Sequence, residues 1–228
     1  MKLYLDTADL NEIEKYAFLI DGVTTTPTII KRSGISSEDF MSTVRNKFPQ
    51  LDIHVEALGK TAKDTEELIE GFCKKSWYQA DKVAFKVPIS KEGLEATKVI
   101  KQKDPSVRIN LHMAFSAAQA TLAMHTGADF IAPLIGRYAD AIADLDAFGK
   151  RARGNDAGYD LLDSIMVCKQ ATGSSAVILA SSIRTVHDFV VATELFADAI
   201  TLPPHVLEAS LEHPMTTEGV EQLWKDID

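Results

Sequence analysis

The chain has 228 residues, of which 46% are hydrophobic, so it is long enough to bury one substantial core, and we expect a single domain. Its net charge of −9, without any block of lysine and arginine, argues against a surface that binds nucleic acid. The two cysteines lack the spacing of a zinc site or a disulfide framework, and no apolar run is long enough to cross a membrane, so we expect a cytoplasmic protein.

Short apolar or β-branched segments alternate with segments of helical periodicity along the whole chain. Many of the helical segments follow a Ser, Thr or Asp that can cap a helix. Eight such units predict an α/β fold, a single (β/α)₈ TIM barrel formed by residues 1–228. The predicted strands are residues 3–6, 22–25, 52–57, 83–88, 108–112, 130–134, 177–181 and 199–202.

Two parts of the chain depart from this alternation. Residues 147–158 contain three glycines and three cationic side chains, which predict an extended loop between the sixth strand and its helix. Residues 203–211 and 217–227 predict a C-terminal extension of two helices. The last helix has an apolar face that we expect to pack on its own barrel or on a neighbouring subunit, formed by Val220, Leu223, Trp224 and Ile227.

Polar side chains occur at the carboxyl ends of nearly all the predicted strands. In a (β/α)₈ barrel these ends meet on one face, where the active site is formed. We therefore take them as candidate site residues. They are Asp6, Thr24, Thr26, Glu56, Lys86, Asn110, His112, Arg137, Ser182 and Arg184.

Lys86 is the most informative of these residues, because it lies inside the apolar segment VAFKVP. Lysine is seldom fully buried, and removal from water disfavours its ammonium form. The neutral amine is the form that attacks a carbonyl, so we interpret Lys86 as an imine-forming lysine. The alternative is a strand-end lysine that reaches solvent or pairs with a carboxylate.

Two carboxylates on neighbouring strands favour the catalytic interpretation. Imine chemistry requires repeated proton transfers, which Asp6 and Glu56 could carry out. Asp6 could instead cap the helix that follows it. Glu56 follows a buried segment and needs a partner, for which Lys86 or a bound water is the natural candidate.

A second group of residues predicts an anion site. Arg137, Ser182 and Arg184 follow the sixth and seventh strands, and two guanidinium groups with a hydroxyl suit a phosphate monoester, although each arginine could instead be a solvated surface residue. His112 ends the fifth strand and could transfer protons near neutral pH. The other five histidines, including His54, are expected to be exposed or partly packed. No two histidines have metal-ligand spacing, so we expect no metal.

Seven segments together resemble the transaldolase family, in particular its short branch, which includes fructose-6-phosphate aldolase. Each segment alone is a weak signal, but the set extends from the first strand to the eighth. The segments are LYLDTAD at residues 3–9, GVTTTPTII at 22–30, FKVP at 85–88, FSAAQA at 115–120, APLIGR at 132–137, ASSIR at 180–184 and ITLP at 200–203.

The resemblance implies a role for most of the candidate residues. Lys86 would be the Schiff-base lysine, Asp6 a proton-transfer residue and Asn110 a hydrogen-bond partner near the imine. The phosphate would bind at Arg137, Ser182 and Arg184. Glu56 matches the residue that orders a catalytic water in transaldolases, where the aldolases have glutamine.

Four residues around the lysine differ from the family pattern. Thr26 replaces an asparagine that binds donor hydroxyls, and His112 replaces a threonine that helps to hold the catalytic water. Leu134 replaces an aromatic residue. Ala132 replaces the serine that is usual in transaldolases and matches the aldolase branch instead. These differences leave a modified donor or acceptor sugar open.

The leading hypothesis from the sequence is a class I transaldolase that moves a dihydroxyacetone unit from a ketose phosphate to an aldose phosphate, without a cofactor. The alternatives are an aldolase that releases free dihydroxyacetone and a barrel that only binds sugar phosphates. The expected partners are sugar phosphates, not nucleic acid or membranes. The resemblance also implies a homo-oligomer, a pentamer or decamer with the last helix at its interface.

Overall fold

The computed structural model describes residues 1–146 and 156–227. Within them, eight parallel strands form a closed barrel in chain order, which confirms the (β/α)₈ prediction. The strands are β1 (Lys2–Asp6), β2 (Gly22–Thr24), β3 (Asp52–Glu56), β4 (Val83–Pro88), β5 (Arg108–Ala114), β6 (Phe130–Pro133), β7 (Val177–Ala180) and β8 (Ala199–Leu202). None of the described helices is long and apolar enough to span a membrane.

The helices surround the barrel, and most of them begin at a capping side chain. Ser90 and Ser116 accept a backbone N–H at the starts of two helices, and Thr61 and Thr185 form capping boxes at two others. The helices are α1 (Leu10–Tyr16), α2 (Pro27–Ser33), α3 (Ser37–Lys47), α4 (Ala62–Phe72), α5 (Lys91–Lys103), α6 (Ala117–Thr126), α7 (Ile135–Asp146), α8 (Asp156–Thr172), α9 (Val186–Glu194), α10 (Pro204–Leu211) and α11 (Pro214–Ile227).

The prediction that residues 147–158 form a loop between the sixth strand and its helix was wrong. Helix α7 begins directly after β6, and residues 156–158 are the first turn of α8. Residues 147–155 lie outside the described part of the chain. The local reason is the apolar spacing of Ile135, Tyr138, Ala139 and Ile142, which is helical and starts immediately beyond the strand.

Side chains alternate between the two faces of each strand and form two separate cores. The outward-facing residues pack against the helices, whereas a small inner cluster, with Tyr4, Phe130 and Leu179 as its large members, fills the barrel. At the base of the interior, Asp52 accepts hydrogen bonds from the Tyr4 hydroxyl at 3.0 Å and from Arg108 at 3.0 Å. These hydrogen bonds close the end of the barrel opposite to the polar residues at the carboxyl ends of the strands.

The two C-terminal helices differ in their packing. Helix α10 buries Val206 and Leu207, as an element of the outer ring does. Helix α11 has no buried residue, and Trp224 and Ile227 are 63% and 80% exposed. Within the described chain the apolar face of α11 therefore does not pack on its own barrel, which was one of the two expectations.

Candidate active site

The carboxyl ends of the strands surround a cavity of about 160 Å³. Larger surface clefts of about 610 and 590 Å³ are present beside α1 and α8, but no buried titratable side chain lines either of them. The cavity brings together eight of the ten predicted site residues; of the other two, Glu56 lies behind Lys86 and Arg184 lies outside. The lining residues are Asp6, Thr24, Thr26, Lys86, Asn110, His112, Met113, Ala132, Leu134, Arg137, Leu179, Ser181, Ser182 and Thr201.

Lys86 is held inside the barrel and does not extend to bulk solvent. Lys86 is 7% exposed, and its neighbours on the two adjacent strands are Glu56 and Asn110. The amine donates to the carbonyl oxygen of Thr25 at 2.6 Å and lies 3.3 Å from Oε2 of Glu56. The nitrogen therefore has a fixed position at the cavity wall and a carboxylate within reach of its proton.

Glu56 also contacts His112, so that three titratable groups form a continuous row. Nε2 of His112 lies 2.6 Å from Oε1 of Glu56. Burial lowers the pKa of His112, although the Glu56 contact opposes the shift. Burial raises the pKa of Glu56, but the contacts with His112 and Lys86 outweigh it and lower that pKa overall. Near neutral pH the pair is therefore a carboxylate beside a neutral imidazole.

Asp6 lies at the end of β1, and its partners are hydroxyl groups. Thr24 donates to Oδ1 of Asp6 at 2.7 Å, and a second contact of 2.7 Å joins Thr24 to Thr201. Because Thr24 has one hydroxyl hydrogen, Thr201 must be the donor when Asp6 is ionised. Burial raises the pKa of Asp6, and the Thr24 hydrogen bond and the charge of Lys86 only partly oppose it. The helix cap that the sequence left open for Asp6 is supplied by Asp9 instead.

Asn110 and His54 form a buried pair beneath Lys86. Nδ2 of Asn110 lies 2.9 Å from Nδ1 of His54, and both residues are 0% exposed. The expectation that His54 is exposed or partly packed was therefore wrong. The reason is strand alternation, since His54 faces the same side of β3 as Asp52 and Glu56, which is the barrel interior.

Arg137 and Ser182 meet where α7 starts beside the end of β7. The backbone N–H of Arg137 donates to Oγ of Ser182 at 3.1 Å, which leaves the hydroxyl hydrogen of Ser182 free to donate. Gly136 permits this contact, because a Cβ there would overlap the carbonyl oxygen of Ser182. The guanidinium of Arg137 is exposed and has no ion-pair partner among the described residues, whereas Arg184 donates to Asp140 at 2.7 Å on the outer surface.

The cavity residues that the sequence reasoning did not select include Thr201 and Met113. Thr201 lies in β8, a strand without a polar residue at its end, although its inward position follows from the alternation with Ala199. Met113 reaches the cavity because β5 has an irregularity between His112 and Ala114, where Met113 takes a φ of 64°. Such a left-handed backbone in a non-glycine residue is costly and is concentrated at functional sites. No sequence signal marks it.

Thr26 and Leu134, two of the residues that differ from the family pattern, also line this cavity. The Thr26 side chain accepts the N–H of Ile29 as the cap of α2, so its oxygen is engaged while its hydrogen can still be donated. Leu134 and Ala132 form an apolar part of the wall opposite.

Comparisons with known proteins agree on one family. The model of the family described as Transaldolase/Fructose-6-phosphate aldolase matches residues 3–228. A probable transaldolase of Ruegeria sp. (strain TM1040) is 36% identical over 230 residues, which cover 100% of this chain and 96% of the relative. Probable transaldolases of Streptococcus equi subsp. zooepidemicus (strain MGCS10565) and Nitrosopumilus maritimus (strain SCM1) are 33% and 32% identical, over 99% of this chain and 97% and 94% of theirs.

Proposed function

Because this chain belongs to the transaldolase/fructose-6-phosphate aldolase family, we propose that it is a class I transaldolase that transfers a dihydroxyacetone unit between sugar phosphates. Lys86 forms the imine with the ketose donor. The observation that best supports this proposal is the position of the Lys86 amine, at the wall of the cavity and 3.3 Å from the Glu56 carboxylate.

Imine formation uses the row of groups beside Lys86. The neutral amine attacks the ketose carbonyl carbon, and the carbonyl oxygen gains a proton to give a carbinolamine. Loss of that oxygen as water needs a further proton, after which the iminium remains. Glu56 receives the proton that the ammonium must lose, and His112, whose Nε2 lies 2.6 Å from Glu56, moves protons to and from the departing water.

Cleavage of the carbon–carbon bond uses the other side of the cavity. Asp6 takes the proton of the hydroxyl at the carbon that leaves, the bond electrons move to the iminium, and an aldose phosphate departs. Addition to the acceptor aldehyde returns that proton by the reverse path. The raised pKa of Asp6 suits a carboxylate that must both take and return a proton, and Thr24 keeps it in place.

The phosphate group of the sugar binds at the edge of the cavity. Arg137 supplies a guanidinium and Ser182 a hydroxyl hydrogen, neither of which is engaged by another described residue, at the N-terminal end of α7, where the helix dipole favours an anion. Arg184 contributes its charge from further out, because Asp140 holds it. The donor hydroxyls then lie against Thr24, Thr26 and Asn110.

The second candidate is an aldolase that hydrolyses its imine and releases free dihydroxyacetone. The observation that favours it is Ala132, which is 2% exposed and leaves a position of the cavity wall without a hydroxyl. Product analysis with and without an acceptor aldehyde separates the two. Free dihydroxyacetone accumulating at the rate of sugar cleavage would contradict the transaldolase proposal.

Borohydride reduction in the presence of a ketose phosphate tests the imine. We expect a stable adduct on Lys86 by mass spectrometry, and none in Lys86→Met. Lys82→Met is the matched control, because Lys82 precedes the same strand and donates to the carbonyl of Gln50, away from the cavity. Binding of sugar phosphate without any adduct would favour the non-catalytic alternative.

The proposal includes a homo-oligomer. The exposed apolar residues of α11, among them Leu223 at 61% and Trp224 at 63%, support an interface with another copy of the chain. Light scattering of the full chain and of a chain that ends before residue 214 tests this. The same number of chains per particle in both would contradict it.

A further inference from the structure

His54 is a buried titratable residue for which the proposed mechanism has no use. It lies in the middle of the barrel, where the rings of Tyr4 and Phe130 meet its imidazole edge-on, with centroids 4.9 and 4.6 Å away. Burial, with the charge of Arg108 as the next cause, lowers the pKa of His54 to about 3, so the imidazole is neutral at any pH at which the protein is assayed.

The one hydrogen bond that the His54 imidazole makes among the described residues is to Asn110. Its Nδ1 is 2.9 Å from Nδ2 of Asn110, so Nδ1 is the acceptor and the ring hydrogen is on Nε2. That bond occupies the amide nitrogen of Asn110 and leaves Oδ1 buried without a partner in the described part of the chain, where Nε2 of His54 also has none. An orphaned acceptor is unusual inside a protein and needs an explanation.

The Asn110 side chain has no other hydrogen-bond partner among the described residues to keep its orientation. Its neighbour on one side across the sheet is Lys86, and on the other side it is Phe130, which offers no polar atom. A free amide could turn by 180° and present its N–H₂ group to the cavity at little cost. With its hydrogen on Nε2, His54 accepts only from the nitrogen side of the amide, so the turned orientation would require that hydrogen to move to Nδ1 as well.

We infer that His54 is a positioning residue, which holds the Asn110 amide with its carbonyl oxygen directed at the substrate bound to Lys86. The oxygen then accepts a hydrogen bond from the carbinolamine hydroxyl or the iminium N–H, both of which are donors at that place. In the reversed orientation, the N–H₂ group of Asn110 would face the carbinolamine hydroxyl or the iminium N–H, which are donors as well. This inference rests on the proposed imine mechanism for the bonding partner, but the direction of the amide does not depend on it.

A double-mutant cycle on turnover tests the inference. If His54 acts only through Asn110, His54→Phe reduces kcat by about 10-fold with little change in the donor KM, as expected for an interaction formed after binding. Asn110→Ala reduces kcat by about 100-fold, and His54→Phe added to Asn110→Ala has no further effect. Independent effects that multiply to about 1000-fold would overturn the inference.

Tyr4→Phe is the matched control. It keeps a ring against the imidazole but removes the hydroxyl that donates to Asp52 at 3.0 Å, so it weakens the same interior without touching the Asn110 amide. We expect a lower melting temperature with unchanged kcat. A fall in kcat equal to that of His54→Phe would mean that any disturbance of the interior impairs turnover, and would overturn a specific role for His54.

A measurement on the unaltered protein decides the direction of the amide even if His54→Phe fails to fold. Nitrogen-15 spectra of selectively labelled histidines distinguish the two neutral tautomers. We expect His54 to carry its hydrogen on Nε2 between pH 5 and 9, and a hydrogen on Nδ1 would overturn the inference. If borohydride leaves no adduct on Lys86 while His54 has the expected tautomer, the proposed function fails and the positioning of the amide stands.

Discussion

Replacement of Glu56 by glutamine removes the central group of the proton path beside Lys86 with little change of shape. Glutamine keeps the length of the side chain but not the charge or the proton acceptor that lie 3.3 Å from Nζ of Lys86 and 2.6 Å from Nε2 of His112. General acid and base groups contribute about 10²–10⁴-fold to enzymatic rates. We therefore expect kcat to fall by about that factor, which corresponds to about 3–5 kcal/mol of transition-state stabilisation.

The substitution should also lower the stability of the fold. The side chains of Glu56 and Lys86 are each 9% exposed, so their attraction is weakly screened, and the variant leaves the amine only neutral acceptors, the Thr25 carbonyl and the amide oxygen of the introduced glutamine. Breaking a buried pair costs about 3–5 kcal/mol, and the retained packing of glutamine places the expected loss near 3 kcal/mol. For a chain of this length that is a decrease in melting temperature of roughly 6–12 °C.

The assay follows the transfer of dihydroxyacetone from a ketose phosphate to an aldose phosphate, with thermal unfolding measured in parallel. Glu208→Gln is the control, because Glu208 forms an exposed pair with Lys15 at 2.7 Å, so its loss should have little effect on stability and leave kcat unchanged. A Glu56→Gln variant whose kcat stays within threefold of the unaltered protein, while borohydride still traps Lys86, would refute the proton path.

Three further predictions concern the other side of the cavity. Asp6 has a raised pKa, so its contribution to stability is complete below its unfolded-state pKa and is lost as the pH rises through its folded-state pKa. Asp6→Asn should therefore be inactive, yet unfold at a higher temperature than the unaltered protein at pH 8, and this difference should vanish at about pH 3. A lower melting temperature of the variant at pH 8 would contradict this. Arg137→Met should raise the KM for phosphorylated ketoses about 10–100-fold and leave the KM for unphosphorylated ketoses unchanged. Arg184→Met should have a smaller effect, because Arg184 already pairs with Asp140. Equal effects of the two substitutions would show that both arginines bind the phosphate. Gly136→Ala should displace the start of α7 from the end of β7 and so raise the KM for phosphorylated ketoses, measured by steady-state kinetics. An unaltered KM would show that the contact between Gly136 and the Ser182 carbonyl tolerates a methyl group.

Much of the site was predictable because it depends on local patterns at strand ends. Lys86 is conspicuous as a cation in an apolar segment, and Glu56 follows a buried segment on the preceding strand, so each was recognisable without knowledge of its partner. The register of β3 against β4 then places the two side by side, as the sequence reasoning expected.

Other parts of the site depend on contacts between distant segments. The Asp140 partner of Arg184 lies 44 residues away in sequence, and nothing in the segment ASSIR indicates that the guanidinium turns outward. The alternation of β3 places His54 on the same side as Glu56, so its burial could have been predicted, but its partner could not. Its pairing with Asn110 spans 56 residues.

The sequence by itself determined the eight alternating units, and with them the strands, most of the helices and the face on which the polar residues gather. These follow from hydrophobic periodicity and turn residues, which act over a few positions of the chain. Only the tertiary structure decided which of the gathered groups touch, how the bulge at Met113 turns its side chain into the cavity, and that α11 lies uncovered. Those outcomes depend on the closure of eight strands into one barrel, where a shift of a single residue in register would exchange the inner and outer faces.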